Sequence, residues 1–112
     1  MKKLLLILLL SLELFSGTRM CGSGTVIRLL SDDNQGIRHQ KFILKQSSGR
    51  TLLIVHNIDL APKIYSLQKG ELVEFCGEYV NNSKGGLIHW THHDPQRQHI
   101  AGWLKYKGIK YQ

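Results

Sequence analysis

From Thr25 onward, apolar and polar residues alternate in short runs parted by turn formers. This is the pattern of β-strands half buried against a core. Thr25-Val26-Ile27-Arg28-Leu29-Leu30 opens the series and ends in the polar loop Ser31-Asp32-Asp33-Asn34-Gln35-Gly36. His39 to Lys45 follows, with Phe42 and Leu44 on one face and Lys41 and Lys45 on the other. Ser47-Ser48-Gly49 turns the chain into Arg50 to His56, where Leu52-Leu53-Ile54-Val55 is apolar on both faces, as in a central strand. After His56 the pattern breaks. Pro62 argues against a long helix and predicts a helical turn or an irregular crossover up to Lys69-Gly70. Glu71 to Val80 alternates again, Val73, Phe75, Gly77 and Tyr79 against Glu74, Cys76 and Glu78. Asn81 to Gly86 reads as a hairpin loop and Leu87 to His92 as a fifth strand. Trp103 to Tyr106 and Ile109 to Tyr111 form a last hairpin across Lys107-Gly108.

The order is three strands, a longer crossover, two strands and an appended hairpin, with no internal repeat and no linker. It predicts an all-β domain, a small OB-like Greek-key barrel of about five strands plus a C-terminal hairpin. Gly77 inside an alternating strand gives the sheet a place to coil or bulge. A simple antiparallel sandwich is the competing architecture.

The first segment breaks the strand pattern. Lys2 and Lys3 precede the aliphatic run Leu4 to Leu10, and Ser16-Gly17-Thr18 supplies small residues. That is the layout of a secretory signal peptide, expected over residues 1–20, with a single β-barrel domain over 21–112. Glu13 interrupts the run before it reaches the ~18 residues a membrane span needs. The expected location is therefore periplasmic or secreted. Cys21 sits where a lipoprotein cysteine would, but Arg19 and Met20 do not fit a lipobox, and a lipid anchor is not expected.

Charge and cysteines sharpen the picture. The chain has 15 Lys and Arg against 8 Asp and Glu, a formal charge of +7. Loss of residues 1–20 removes Lys2, Lys3, Arg19 and Glu13, leaving 12 against 7, or about +5. Such an excess favours a polyanion such as nucleic acid or an acidic glycan. No basic cluster is dense; Lys105, Lys107 and Lys110 come nearest. Cys21 and Cys76 lack metal-binding spacing but can pair after export, closing a long loop.

The candidate chemistry is concentrated in Gly85-Gly86-Leu87-Ile88-His89-Trp90-Thr91-His92-His93-Asp94-Pro95, with His99 just beyond. A helix would bring His89 and His93 together, but Gly85-Gly86 and Pro95 leave no room for one, and no Glu follows His89. On a straight strand, His89 and His93 lie about 13 Å apart, too far for one ion. A divalent site, zinc or manganese, on His89, His92, His93 and His99 therefore requires the strand to end near Thr91. His56 and Asp59 end the central strand and offer an acid–base pair, or else a capped turn before Leu60. The competing account gives each ring a structural task, with Trp90 plugging the barrel, Asp94 closing an Asx turn and one His holding a loop through a buried carbonyl.

These residues resemble a bacterial family designated domain of unknown function 3465. The likeness rests on Gly24-Thr25-Val26 with Asp32-Asp33-Asn34-Gln35-Gly36, His39 with Phe42, and His56-Asn57-Ile58-Asp59-Leu60-Ala61-Pro62. It continues in Gly70 to Tyr79, in His89-Trp90-Thr91-His92-His93-Asp94-Pro95, and in His99 and Gly102-Trp103. It covers nearly the whole domain, implies one compact exported unit and brings no assigned activity.

Two functions follow as expectations. One is an OB-like binding module whose ligand face combines Trp90, Trp103, Tyr79 and Tyr106 with Lys and Arg side chains, for a polyanion. The other is a metal-dependent hydrolase of phosphodiesters, using His89, His92, His93, Asp94 and His99 with His56 and Asp59 opposite.

Overall fold

The computed structural model describes residues 18–112. The leader expected over 1–20 lies outside the described residues except for Thr18 to Met20, which are strand. Seven strands carry the fold: β1 (Thr18–Leu29), β2 (His39–Lys45), β3 (Thr51–Asn57), β4 (Leu72–Val80), β5 (Leu87–His89), β6 (Trp103–Tyr106) and β7 (Ile109–Tyr111). No helix occurs among them, and the crossover between β3 and β4 is a series of turns.

The strands pair in the order β1-β2-β3-β5-β4, and β4 pairs back onto β1, closing a five-stranded barrel. β3 and β5 run parallel; the other pairings are antiparallel. β6 and β7 form the C-terminal hairpin, attached through β4. The small all-β barrel with an appended hairpin is thus what the alternation predicts.

Alternation sets the core. Phe42 and Leu44 of β2, Leu52 and Ile54 of β3, and Val73 and Phe75 of β4 are fully buried, as are Val26, Ile88 and Leu104. Ile64 and Leu67 enter from the crossover and join the same cluster. The buried Gln40 holds the crossover there. Its amide donates to the Ile64 carbonyl at 2.8 Å and accepts the Ile64 N–H at 2.9 Å.

β1 differs most from expectation. It begins seven residues earlier than its β-branched run, at Thr18, and the added length pairs with β4 from Thr18↔Tyr79 to Thr25↔Leu72. Tertiary pairing here overrides a weak local propensity, since this stretch contains Gly22 and Gly24. Cys21 stands directly opposite Cys76, and the two form a disulfide with Cα atoms 4.1 Å apart. Farther along, the β1–β2 register shifts between Val26 and Arg28, a bulge that leaves Ile27 unpaired.

The disulfide closes a loop with a sequence separation of 55. Reducing it, or replacing both cysteines by serine, is expected to lower stability by about 4 kcal/mol on chain-entropy grounds. The check is the urea midpoint with and without reductant. An unchanged midpoint would mean that the β1–β4 ladder alone fixes β1.

Candidate functional site

β4 has two edges. One pairs with β1 along its length; the other is shared, with Glu78 to Val80 against β5 and Glu74 to Cys76 against β6. His89 pairs with Glu78 and Trp103 with Cys76, so residues 90–102 leave the edge of β4 and return almost to the same point. Gly77 lies opposite the gap, where any Cβ would collide with the His89 carbonyl. Gly102 closes the base: a Cβ there would strike the carbonyls of Trp90 and Cys76, and its N–H donates to the His92 carbonyl at 2.9 Å.

This pinch explains why β5 stops at His89 rather than His92. Trp90 adopts φ +54°, a left-handed conformation unusual for a bulky residue. Its strain, of order 1–3 kcal/mol, is offset by stacking and by the bonds at the loop base. The indole lies between two imidazoles, His89 at 4.5 Å and 27° and His99 at 4.4 Å and 18°. His92 meets His99 edge-on at 5.1 Å. Both faces of Trp90 are therefore occupied, and it is not a stacking platform for a ligand.

Carbonyls and carboxylates accept, so most ring protons can be placed. His89 Nε2 donates to Glu78 Oε1 at 2.7 Å, His92 Nδ1 to the His93 carbonyl at 2.6 Å and His99 Nδ1 to the Ile100 carbonyl at 2.8 Å. Burial pushes the His92 imidazole below its ordinary pKa. Asp94 accepts the backbone N–H of His99 at 2.7 Å and closes the turn to Arg97, whose N–H donates to the Asp94 carbonyl. Burial pushes the Asp94 carboxyl up, but the backbone N–H groups of His99 and Gln98 and the nearby imidazoles hold it below its usual value.

The wholly buried His56 links this loop to the crossover. Its Nε2 donates to the Pro62 carbonyl at 3.0 Å, and its Nδ1 accepts the Thr91 hydroxyl at 2.7 Å. One neutral tautomer satisfies both bonds. Burial drives the pKa down from 6.5 to about 4.

Of the residues chosen from sequence, His89, Trp90, His92, Asp94 and His99 come together, with His56 behind them through Thr91. Asp59 does not join them. It is exposed and binds the Arg38 guanidinium at 2.7 Å and the Arg38 N–H at 2.9 Å, while Asn57 caps the turn by accepting the N–H groups of Asp59 and Leu60. His93 is exposed. Trp103 lies on the outer face with Lys110 4.7 Å above its ring. Tyr106 is buried and donates to Glu71 at 2.6 Å, and Tyr79 packs under Arg50, so neither offers a ligand face. Among the described residues no three His, Cys, Asp or Glu side chains are grouped to hold a metal ion. The rings of His89, His92, His93 and His99 are not gathered at one point: the Trp90 indole stacks between His89 and His99, and His93 is exposed.

A second candidate was not singled out from sequence. A groove of about 420 Å³ opens on the barrel wall, lined by residues of β1, β2, β3 and the 81–86 loop, among them Ile27, Arg28, Ile43, Leu53 and Lys84. None of the nine residues expected in the site lines it. Among the described residues Arg28, Lys41, Lys45, Arg50 and Lys84 make no ion pair; Asp32, Asp59, Glu71, Glu78 and Asp94 face basic side chains elsewhere, Asp33 faces His39 at the start of β2, and Glu74 on β4 makes none. The signal was present in the alternation. Lys41, Ile43 and Lys45 all face outward, opposite the outward Val55, Leu53 and Thr51.

The family model described as "Protein of unknown function (DUF3465)" matches residues 8–112, which bears out the resemblance drawn from the residues. No curated protein matches the chain.

His56 generates a pH prediction. Unfolded, its imidazole takes a proton near pH 6.5; folded, only near pH 4. Stability is then fully present above pH 6.5 and falls as pH drops toward 4, by about 3 kcal/mol for this group. Urea unfolding between pH 7 and 4 should show the fall, and a His56→Gln variant should be less stable at pH 7 with a flatter dependence. Equal slopes in both proteins would remove His56 as the cause.

Proposed function

We propose that this chain, which belongs to the DUF3465 family, is an exported OB-type binding module that holds a polyanion on the outer wall of β1, β2 and β3. The observation that carries the reading is a row of cations on this wall that are unpaired among the described residues, with Asp33 facing His39 at the start of β2. Arg28, Lys41, Lys45 and Lys84 share this side of the barrel and make no ion pair among the described residues, while Asp32, Asp59, Glu71, Glu78 and Asp94 are engaged elsewhere and Asp33 faces His39 of β2. A surface of one sign attracts counter-charged polymers and speeds their encounter.

The closed strand order β1-β2-β3-β5-β4-β1, with β3 and β5 parallel, supports the OB assignment. Barrels of that type bind oligonucleotides and oligosaccharides on the face of their second and third strands and on adjoining loops. The 81–86 loop is such a neighbour. Thr51 Oγ1 donates to the Lys84 carbonyl at 3.2 Å, and Asn82 Oδ1 accepts the N–H groups of Lys84 and Gly86 at 2.8 Å each. Arg50 packs on the Tyr79 ring and donates to the Gly85 carbonyl at 3.4 Å. These bonds fix the Lys84 backbone beside the groove. The Cys21–Cys76 disulfide supports export, because such bonds persist in oxidising compartments.

The test is fluorescence anisotropy with a labelled sulfated oligosaccharide and a labelled single-stranded oligonucleotide over a range of salt. Affinity should fall linearly in a log–log plot against salt. The double variant Arg28→Glu/Lys84→Glu should weaken binding at least about tenfold and flatten that slope by about two contacts. Absence of binding to either polymer at low salt would end the proposal.

A further inference from the structure

The floor of the wall groove is aliphatic. Ile27, Leu30, Ile43 and Leu53 line it, Arg28 and Lys84 stand beside it, and none of its lining residues is aromatic. The floor follows from the pairing. Ile43 lies across from Leu53, and the bulge in β1 turns Ile27 into the same wall. A second groove of about 400 Å³ shares Ile27 and runs on to Lys45 and the exposed Leu72. The apolar path therefore continues along β1, with cations on its margin.

Nucleobases are held on such barrels by stacking on aromatic rings. This floor offers none. An aliphatic surface gains instead from covering by hydrocarbon, at about 25 cal/mol per Å² removed from water. A bare polyanion would satisfy Arg28 and Lys84 and leave the floor wet.

We propose that the ligand of this groove is an anionic amphiphile, with an aliphatic chain on Ile27, Leu30, Ile43 and Leu53 and a phosphate or carboxylate head between Arg28 and Lys84. The inference rests on the binding reading above for its cationic wall, and adds a second ligand class, a single anionic head with a hydrocarbon chain, at the groove itself. The groove, about 420 Å³, is of the size that holds single small molecules. Charge complementarity selects the head, and the chain supplies the affinity that charge alone lacks.

The experiment is titration calorimetry of the full domain with dihexanoyl and dioctanoyl phosphatidic acid, both below micelle-forming concentration, against glycerol 3-phosphate and a single-stranded oligonucleotide. Affinity should rise roughly twofold per added methylene, half the roughly fourfold that full burial gives. Ile43→Thr/Leu53→Thr, outward positions where threonine suits a strand, should abolish the dependence on chain length and leave the salt-dependent binding of the sulfated oligosaccharide intact. If that variant does not fold, the chain-length series on the unaltered protein decides alone. Oligonucleotide or oligosaccharide binding as tight as that of the lipids, with no chain-length effect, would overturn the amphiphile and leave the polyanion reading standing. A concentration-dependent dimer that the threonine variant dissociates would assign the floor to a second copy and overturn it likewise. Failure of every ligand to bind would overturn both readings.

Discussion

The constraint on which the rest of the molecule depends is the division of one edge of β4 between β5 and β6. A strand edge accepts only one partner at each rung. With Glu78 to Val80 given to β5 and Glu74 to Cys76 to β6, Gly77 is left at the seam. The chain between them has to swing away and come back, and it can do so only if its two ends nearly touch. Gly77 and Gly102 permit that approach, and Trp90 takes a left-handed backbone to make the corner. Without this seam, β5 would run on to His92 and the imidazoles would alternate between two faces. With it, His89, Trp90, His92 and His99 are folded into one stack. The same seam fixes Thr91, through which His56 ties the β3–β4 crossover to the loop.

Electrostatic pairing divides the molecule in a complementary way. Carboxylates cluster where they tie segments together: Asp59 to Arg38, Asp32 to Lys63, Glu71 to Lys107, Glu78 to His89 and Asp94 to His99. The exposed pair Arg38–Asp59 contributes little by itself. The larger effect of these pairings is on the field. On the wall of β1, β2 and β3 the carboxylate is Asp33, which faces His39 at the start of β2, and among the described residues Arg28, Lys41 and Lys45 are left without an acidic partner.

Much of the scaffold was legible from the period-two pattern. His39 to Lys45 and the hairpin across Lys107-Gly108 stand where the alternation puts them. The failures share one cause, which is contact between distant segments. The early start of β1 at Thr18 depends on β4 as a template, and its own residues give no strand signal. The end of β5 depends on Gly102, thirteen residues beyond His89, and no local rule reports that collision. Density of imidazole drew attention to His89 through His99, yet those rings are spent on carbonyls, carboxylates and one another. Leu53 and Val55 carried the opposite lesson. Apolar residues on both faces of a strand fit a central position, but in a closed barrel one face looks outward, and what covers it is a question about function.

An outward aliphatic surface is a liability in water, since it invites association. A barrel can place polar residues at outward positions, as β4 does at Glu74 and Glu78. The wall keeps Ile43 and Leu53 and sets Lys41, Lys45, Arg28 and Lys84 around them. Two copies meeting through this face would bring Arg28, Lys41, Lys45 and Lys84 together, a like-charge cost that opposes dimers. The same arrangement does not oppose an anion. Hydrophobic attraction acts on any apolar partner, whereas the proposed ligand would add its negative charge to the attraction. On the proposed reading, selectivity at this wall resides in the combination, because neither an aliphatic floor nor a cationic rim discriminates by itself.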